Sequence, residues 1–255
     1  MRVLLLANNW VGWKVAEFLA GHRDTEVVGV IVHPDLKRKY GDEILKALSL
    51  PASRVFDGSK LQEQKVLSEI QELKPEIGIS VFFDYILKKE FLDIFPKGCI
   101  NIHPAYLPYN RGSYPNIFSI IDGTPAGATV HFMTDGIDMG DIIARKEVPV
   151  ELTDTGESLY RKLEGVSIEV FQNVWSKLID GTAQRIPQNP AEGTVHRYKD
   201  TEAIDTIDLQ KSYNAQHLIN ILRARTFPPY KGAYFLDENG EKVYIRVQLL
   251  RENEL

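Results

Sequence analysis

Residues 1–32 read MRVLLLANNWVGWKVAEFLAGHRDTEVVGVIV and decide the fold class. Arg2–Ala7 is an almost continuous apolar run, typical of a strand that is buried on both faces. Val11–Ala20 has its apolar residues at helical spacing, and Val27–Val32 is a second run of mainly β-branched residues. The order strand, helix, strand predicts a βαβ unit with parallel strands.

The same alternation continues as far as residue 103. We predict helices at Gly41–Leu48, Leu61–Leu73 and Lys88–Ile94, and strands at Glu76–Phe83 and Cys99–His103. The pattern predicts an α/β protein with a doubly wound, mostly parallel sheet. Because ligands bind such sheets at the carboxyl ends of the strands, the candidate loops are Asn8–Gly12, Asp84–Leu87 and His103–Gly112.

The middle of the chain continues with helices and strands. A helix is predicted to begin near Ser113, with Ser113 as its N-cap and Pro115 in its first turn. Strands are predicted at Ala126–Met133 and Asp141–Val150, and a long amphipathic helix at Ser158–Leu178.

A change of composition near residue 190 predicts a boundary. The segment Gln188–Gly193 is rich in turn-forming residues, so we expect a catalytic domain over 1–187 and a small C-terminal region over 188–255. That region is predicted to hold a helix at Asn214–Ala224 and a hairpin. The hairpin strands are Gly232–Leu236 and Lys242–Leu250, and Glu238-Asn239-Gly240 forms the turn. Such an apolar hairpin commonly finds a partner surface, so a homodimer is expected.

Composition excludes several classes of protein. The chain has 255 residues and a formal net charge of -5, which argues against a nucleic-acid partner because nucleic-acid binders carry a basic surplus. Its single cysteine, Cys99, cannot form an internal disulfide, and its apolar neighbours predict a buried thiol. No segment is apolar for long enough to be a signal peptide or membrane span, so the cytoplasm is the expected location.

Asn101-Ile102-His103-Pro104 is the segment with the most chemical information. Residues two apart on a strand share a face, so Asn101 and His103 would project together at the end of the strand. A carboxamide can donate to a developing oxyanion, and an imidazole can move a proton near neutral pH. An isolated Asn-x-His is more often structural. The later turn Thr134–Asp138 adds carboxylates, and one close to His103 would fix its tautomer.

Two longer motifs give these residues a family context. Residues 100–108 read INIHPAYLP and are followed by Arg111-Gly112, and residues 127–142 read GATVHFMTDGIDMGDI. Together they resemble the signature of the folate-dependent formyltransferases, which include glycinamide ribonucleotide, methionyl-tRNA and nucleotide-sugar N-formyltransferases. The resemblance covers roughly residues 1–180 and implies the Rossmann-like formyltransferase fold.

The resemblance also implies a site. The family's catalytic asparagine, histidine and aspartate fall on Asn101, His103 and Asp138, and 10-formyltetrahydrofolate is the implied co-substrate, with no metal. Donation from Asn101 and His103 would stabilise the oxyanion, while His103 or a water ordered by Asp138 moves the proton. The implied pterin pocket uses Phe83, Asp84, Tyr85, Ile86, Leu87, Thr134, Asp135, Gly136 and Ile137, with Phe82 as a further apolar wall.

The tail favours a nucleotide-linked amino sugar as the acceptor. Residues 223–235 read RARTFPPYKGAYF and resemble the tails of the sugar N-formyltransferases, which act on 4-amino-4,6-dideoxyhexoses carried by thymidine or uridine diphosphate. This family reading suggests a role in lipopolysaccharide or O-antigen synthesis. Aromatic, polar and cationic side chains suit such a ligand. The predicted substrate-binding residues are Asn9, Trp10, Tyr106, Tyr109, Asn110, Arg111 and Tyr230, whereas Trp13 fits the core better.

Other functions stay open from the sequence. The tail of about sixty residues is short for the second domain of a methionyl-tRNA formyltransferase. The indoles of the first loop depart from the phosphate cradle expected for glycinamide ribonucleotide. Formylation of that substrate or of another small amine, hydrolysis of formyltetrahydrofolate, and a silent folate- or nucleotide-binding module remain alternatives. A dinucleotide-dependent oxidoreductase is disfavoured because the first loop lacks G-x-G-x-x-G.

Overall fold

The computed structural model describes residues 1–189 and 191–254. Pro190, which belongs to the predicted boundary segment, and Leu255 lie outside the described residues. The chain forms two compact units. The first consists of Met1–His103, Thr129–Arg145 and Glu164–Gln188, and the second of Pro104–Ala128, Lys146–Leu163 and Asn189–Leu255. The predicted division of the chain after residue 187 stays a prediction.

The strands and helices are numbered in chain order. The strands are β1 (Arg2–Ala7), β2 (Glu26–Val32), β3 (Val55–Asp57), β4 (Ile77–Val81), β5 (Cys99–His103), β6 (Arg111–Gly112), β7 (Ala126–Phe132), β8 (Ile142–Val148), β9 (Val195–His196), β10 (Tyr234–Leu236) and β11 (Lys242–Tyr244). The helices are α1 (Asn9–Gly21), α2 (Gly41–Leu48), α3 (Gln64–Glu72), α4 (Lys89–Leu92), α5 (Pro115–Asp122), α6 (Gly156–Ile179), α7 (Asp200–Asp205) and α8 (Ala215–Ala224). Short 3-10 turns occupy Ala52–Arg54, Gly58–Lys60 and Glu252–Glu254.

Seven of the strands form one sheet in the order β3-β2-β1-β4-β5-β7-β8. β1 pairs in parallel with β2 and β4, and β5 pairs in parallel with β4. β7 runs antiparallel to β5. The predicted doubly wound, mostly parallel sheet is therefore confirmed, and so are the C-terminal helix and hairpin.

Strand β1 is buried on both faces, as its sequence predicts. Leu4 and Leu6 belong to one apolar cluster, whereas Val3, Leu5 and Ala7 belong to another, because successive strand residues point to opposite faces. All five are fully buried, and burying a leucine side chain contributes about 2 kcal/mol. This apolar centre fixes the strand whose carboxyl end carries the first candidate loop.

The second unit has a small core of its own. Ile207, Ile221 and Ala233 form its buried apolar centre. The buried Arg223 donates from Nη1 to the carbonyls of Glu151 and Asp154, each at 2.9 Å. Burial lowers the pKa of this guanidinium, and the charge of Asp154 opposes the shift. Through these two hydrogen bonds, the Arg223 guanidinium connects α8 to the loop before α6 within this unit.

The structure corrects several predicted boundaries. α5 begins at Pro115 with Tyr114 as its cap, in a left-handed conformation and without a side-chain cap bond, so the predicted Ser113 cap is wrong. A proline at the first helical position places the cap one residue before it. β3, β6, β9 and α7 were not predicted, because segments of two to six residues are too short for a clear periodic pattern.

Two local predictions, the buried Cys99 thiol and the position of the hairpin turn, are confirmed at residue level. Cys99 is buried, and burial raises the pKa of its thiol. Asn214 caps α8 by accepting from His217 N–H. The hairpin turns where predicted, with Gly240 at a φ of 80°, although its strands are shorter than expected. Asp237 Oδ1 closes the turn by accepting from the main-chain N–H groups of Asn239 and Glu241.

Candidate active site

Strand β5 carries two of the predicted catalytic side chains at its carboxyl end. Asn101 lies opposite Ser80 of β4 on one side and opposite His131 of β7 on the other. His103 is buried, whereas Asn101 is partly exposed. Because the two are separated by one residue, the strand directs both toward the same face.

The turn after β7 brings Asp138 to these side chains. Asp138 Oδ2 lies 3.5 Å from His103 Nε2, and Asn101 Nδ2 donates to Asp138 Oδ1 at 3.4 Å. Asp138 has a φ of 51°, which is unusual for a residue with a side chain. The structure thus brings together all three side chains that the sequence predicts to be catalytic, while their catalytic roles stay predictions.

His131 is a fourth member of this cluster that sequence analysis missed. Its Nε2 lies 3.3 Å from Asn101 Nδ2 and 3.5 Å from Asp138 Oδ1. Its Nδ1 lies 2.9 Å from the carbonyl of Phe132. A carbonyl only accepts, so Nδ1 carries a proton, and Nε2 lies within reach of both the Asn101 amide and the Asp138 carboxylate. The missing signal was the antiparallel pairing of β5 with β7, which places His131 directly beside Asn101.

The geometry of the cluster suits the binding of a developing negative charge. The Asn101 amide and the His103 ring are donors, and both are oriented by the carboxylate of Asp138. The contacts of Asp138 with these two groups measure 3.4–3.5 Å, longer than an ideal hydrogen bond. Donors held loosely in this way can tighten on an incoming oxygen without first breaking strong bonds.

The loop predicted to line a pterin pocket follows β4. Phe83 and Tyr85 are half-buried, Asp84 is exposed and Leu87 is buried. Ile86 is 83% exposed. Ile86 and Leu87 also border a cleft of about 210 Å³, whose other apolar walls include Leu61, Leu67 and Phe91. The predicted apolar side chains therefore range from buried to largely exposed. Their contact with a pterin stays a prediction.

A buried histidine supports this loop and was not identified from the sequence. The ring of His33 contacts the rings of Phe83 and Tyr85, with centroids 4.7 and 5.1 Å away. The main-chain N–H of Asp84 donates to His33 Nε2 at 3.4 Å. Burial lowers the pKa of His33, and the charge of Asp84 opposes this shift. A neutral ring keeps Nε2 available as an acceptor.

The rest of the predicted pterin pocket is an exposed turn. Thr134, Asp135, Gly136 and Ile137 are all exposed. Gly136 N–H donates to Thr134 Oγ1 at 3.3 Å. This turn leads directly into Asp138, so a ligand that contacts the turn would also lie close to the polar cluster of Asn101, His103, His131 and Asp138.

The loop after β1 is tied to the segment that precedes α2. Asn8 is buried, and its Oδ1 accepts from the N–H of Lys39 at 2.8 Å. Asn9 has a φ of 69°, and its Oδ1 accepts from Trp10 N–H at 2.7 Å. The Trp10 ring is partly buried against the core. These bonds hold the predicted substrate residues Asn9 and Trp10 in a defined loop.

Trp13 behaves as the helical spacing predicts. It packs partly buried against the main apolar core and stacks on Tyr40, with ring centroids 5.8 Å apart. The ammonium group of Lys14 lies 3.7 Å from the centre of the indole. The Trp13 ring is therefore engaged by protein groups, in agreement with a packing role.

Four predicted substrate residues lie close together in sequence in the second unit. Tyr106 and Tyr109 are half-buried, whereas Asn110 and Arg111 are 0% and 2% exposed. The Asn110 amide donates to Ser119 Oγ and Thr124 Oγ1, each at 2.8 Å. Arg111 belongs to β6, which pairs with β9. Their roles in substrate binding stay predictions.

Tyr230 belongs to an aromatic group in the same unit. It is 52% exposed and packs edge-on against Phe227, with centroids 5.2 Å apart. Phe227 in turn contacts Tyr160, and the guanidinium of Arg161 lies 5.8 Å from both of their rings. An exposed aromatic ring is a type of side chain expected to contact a nucleotide base.

The described residues contain neither a cluster of metal-binding side chains nor a membrane-spanning helix. Across 1–189 and 191–254, no group of three or more His, Cys, Asp or Glu side chains is arranged to hold a metal ion. Over the same residues, no helix is both long enough and apolar enough to cross a membrane.

Comparison with known proteins identifies the family of this chain. The model of the formyl transferase family matches residues 3–174, which include β1 to β8 and the whole polar cluster. A second model, described as the N-formyltransferase dimerization C-terminal domain, matches residues 200–251. The chain belongs to the formyl transferase family, as its two motifs predict.

Individual relatives refine the comparison. The dTDP-4-amino-4,6-dideoxyglucose formyltransferase of Mycobacterium tuberculosis is 38% identical over 174 residues, 66% of this chain and 74% of the relative. The crystal structure of a 4-N formyltransferase from Francisella tularensis is 29% identical, with a TM-score of 0.85 over 98% of each chain. The methionyl-tRNA formyltransferase of Acetivibrio thermocellus is 28% identical, over all of this chain and 81% of its own length.

Proposed function

We propose that this chain transfers a formyl group from 10-formyltetrahydrofolate to the amino group of a nucleotide-linked amino sugar. The observation that carries the proposal is the polar cluster at the end of β5, where Asn101, His103 and His131 surround the carboxylate of Asp138. This set lies in the segment matched by the formyl transferase model.

Each member of the cluster has a chemical task. The Asn101 amide and the His103 ring donate to the formyl oxygen as negative charge develops on it. The carboxylate of Asp138 orients His103 and favours its protonated form, which supports proton movement from the attacking amine toward the leaving nitrogen. His131 accepts from Asn101 and so orients the carboxamide. The substrate amine must be neutral when it attacks.

The co-substrate fits the residues near the cluster. A pterin needs main-chain donors and acceptors between apolar walls, and the segments 82–87 and 134–137 supply both types of group. Phe82 has a φ of 52°, so the chain turns sharply at the start of the first segment. His33 holds this segment by accepting from the Asp84 N–H and by packing against the rings of Phe83 and Tyr85.

The acceptor is proposed to be a 4-amino-4,6-dideoxyhexose on thymidine or uridine diphosphate. The Mycobacterium relative is described as a formyltransferase of the thymidine-linked glucose derivative. The exposed Tyr230 adds an aromatic face in the second unit, and Arg161, which lies over the ring of Phe227, adds a positive charge. We place the enzyme in the cytoplasm and its product in surface polysaccharide synthesis.

A homodimer is part of the proposal. The dimerization-domain model matches residues 200–251, and Leu236, Val243 and Tyr244 of the hairpin are 40–50% exposed. Sedimentation velocity on the full chain is expected to give twice the monomer mass, and Val243→Asp is expected to give a folded monomer. A wild-type monomer at all concentrations would refute this part.

One assay tests the catalytic proposal. The protein is incubated with 10-formyltetrahydrofolate and a panel of thymidine- and uridine-linked amino sugars, and the products are analysed for one formyl mass increment. We expect the increment on a 4-amino sugar nucleotide. Glycinamide ribonucleotide and methionyl-tRNA complete the panel, and formate release without any acceptor is measured as well. Formylation of either of those two, or formate release alone, would overturn the acceptor assignment.

A further inference from the structure

The carboxamide of Gln188 contacts the turn that carries Asp138. Its Nε2 donates to the carbonyl of Asp138 at 2.8 Å and to the carbonyl of Gly140 at 2.7 Å. Because both partners are carbonyl oxygens, the amino end of the carboxamide must face them. Both of its hydrogens are thus used on two carbonyls that flank a single residue, Met139.

Strand geometry explains why Gln188 reaches these carbonyls. Ile142 and Ile186 form an antiparallel bridge, with main-chain bonds of 2.8 and 2.9 Å in the two directions. In an antiparallel pair the residue numbers change in opposite directions, so two further steps place Gln188 opposite Gly140. Beyond the Ile142–Ile186 bridge, hydrogen bonds from the side chain of Gln188 therefore take the place of main-chain hydrogen bonds between the two segments.

The turn needs an external support of this kind. Asp138 has a φ of 51°, a left-handed conformation that aspartate adopts more readily than most residues but that the surrounding structure still has to hold. A Cβ on Gly140 would lie 1.8 Å from the carbonyl oxygen of Phe132, so this end of the turn is pressed against β7. Packing fixes the turn at Gly140, and the hydrogen bond from Gln188 to the Asp138 carbonyl fixes it at Asp138.

We propose that Gln188 is a positioning residue, which holds the carboxylate of Asp138 toward His103, His131 and Asn101. Gln188 acts through the main chain of Asp138. The kinetic test of this role rests on the proposed formyl transfer, whereas the structural test does not. Losing the two bonds would let the turn relax and would displace a carboxylate whose contacts with its three partners measure 3.4–3.5 Å. Displacement of a catalytic group by about 1 Å can cost about a hundredfold in rate.

The test uses Gln188→Met, which keeps the length of the side chain and removes both donors. With dTDP-4-amino-4,6-dideoxyglucose and 10-formyltetrahydrofolate as substrates, kcat is expected to fall by about tenfold to a hundredfold, while both KM values change by less than about threefold. Gln184→Met, at an exposed glutamine four residues earlier, is the matched control and should keep wild-type kinetics. If Gln188→Met does not fold, Gln188→Asn shortens the carboxamide and answers the same question.

A double-mutant cycle separates positioning from a general loss of structure. In an Asp138→Asn background, Gln188→Met is expected to lower kcat by less than about twofold, because the group that it positions is already altered. An equal loss in both backgrounds, or wild-type kcat in Gln188→Met, would overturn the proposal.

A crystal structure of Gln188→Met tests the same claim without turnover. The 3.5 Å contact between Asp138 Oδ2 and His103 Nε2 is expected to lengthen. An unchanged contact would refute the positioning role, whatever the wild-type protein formylates. Absence of turnover in the wild type would instead refute the proposed function and leave this structural result valid.

Discussion

Asn101 and Asn110 carry the same side chain in contrasting surroundings. Asn101, in the first unit, is partly exposed, and its amide makes two contacts of 3.3 and 3.4 Å. Asn110, in the second unit, is fully buried, and its amide donates to Ser119 and Thr124 at 2.8 Å. Short bonds inside a core stabilise the fold, whereas long bonds beside solvent leave a donor available for a ligand.

The contrast extends to the acceptor oxygen and the main chain. Asn110 Oδ1 accepts from Thr194 Oγ1 at 3.1 Å, and Thr194 Oγ1 accepts from Asn110 N–H at 2.8 Å. Asn110 also has a φ of 56°, which asparagine tolerates better than most residues. These features account for an asparagine at position 110 without a ligand, so we predict a stabilising role for Asn110 and a catalytic role for Asn101.

The largest expected effect is that of Asn101→Ala. Removing an oxyanion donor costs about 3 kcal/mol of transition-state stabilisation, so kcat is expected to fall by about a hundredfold or more. The free energy of unfolding should change little, because the lost contacts are long and partly exposed. Steady-state kinetics measure kcat, and urea denaturation measures the free energy of unfolding. Wild-type turnover in this variant would refute the catalytic role of Asn101.

Asp138→Asn is expected to have the next largest effect. The substitution keeps the shape of the side chain but removes the charge that faces His103 and His131 at 3.5 Å. We expect kcat to fall by about tenfold to a hundredfold. Mass-spectrometric product assays over a range of pH provide the measurement. A variant with unchanged kcat at every pH would show that the carboxylate does not act on His103.

Asn110→Ala tests the stability side of the comparison. It leaves the buried hydroxyl of Ser119 and the partly buried hydroxyl of Thr124 without their donor, so the free energy of unfolding is expected to fall by about 2 kcal/mol. Turnover of the folded protein should stay within about twofold of wild type. Asn110→Gly separates the contributions, since it removes the same bonds but tolerates the φ of 56°.

The opposite outcome at Asn110 is equally informative. A large rise in KM for the sugar nucleotide, with unfolding unchanged, would support its predicted role in substrate binding. The division between a stabilising and a catalytic asparagine would then fail.

The smallest expected effect concerns pH and stability. Burial lowers the pKa values of His33 and His196 from 6.5, and neighbouring acids oppose both shifts. As pH falls, the unfolded chain therefore binds these protons first, and the free energy of unfolding decreases from about pH 7 downward through 6.5. The two neutral rings thus stabilise the fold at pH values above their unfolded pKa.

Denaturation of His33→Gln and His196→Gln at about pH 7.5 and 5.5 measures how much each ring contributes to the pH dependence of the free energy of unfolding. Each variant is expected to lose less stability than wild type on acidification. His217→Gln, at an exposed histidine, is the control and should lose as much as wild type. Equal losses in all four proteins would show that neither buried ring contributes.

Much of the site was predictable because its members are local in sequence. Asn101 and His103 share a strand face by simple alternation, and Asp138 was assigned through the resemblance of residues 127–142 to a family motif. His131 belongs to that same motif but received no role. Its importance became visible only when the antiparallel register of β5 and β7 placed it beside Asn101.

By itself, the sequence determined the longer apolar strands, their alternation with helices and the motifs that identify the family. These features depend on spacings of two to four residues, which the chain carries locally. Only the tertiary structure placed His33 behind the loop after β4, and Gln188, fifty residues away in sequence, against the carbonyl of Asp138. Contacts at such separations depend on how whole elements pack, and no local pattern of side chains encodes that arrangement.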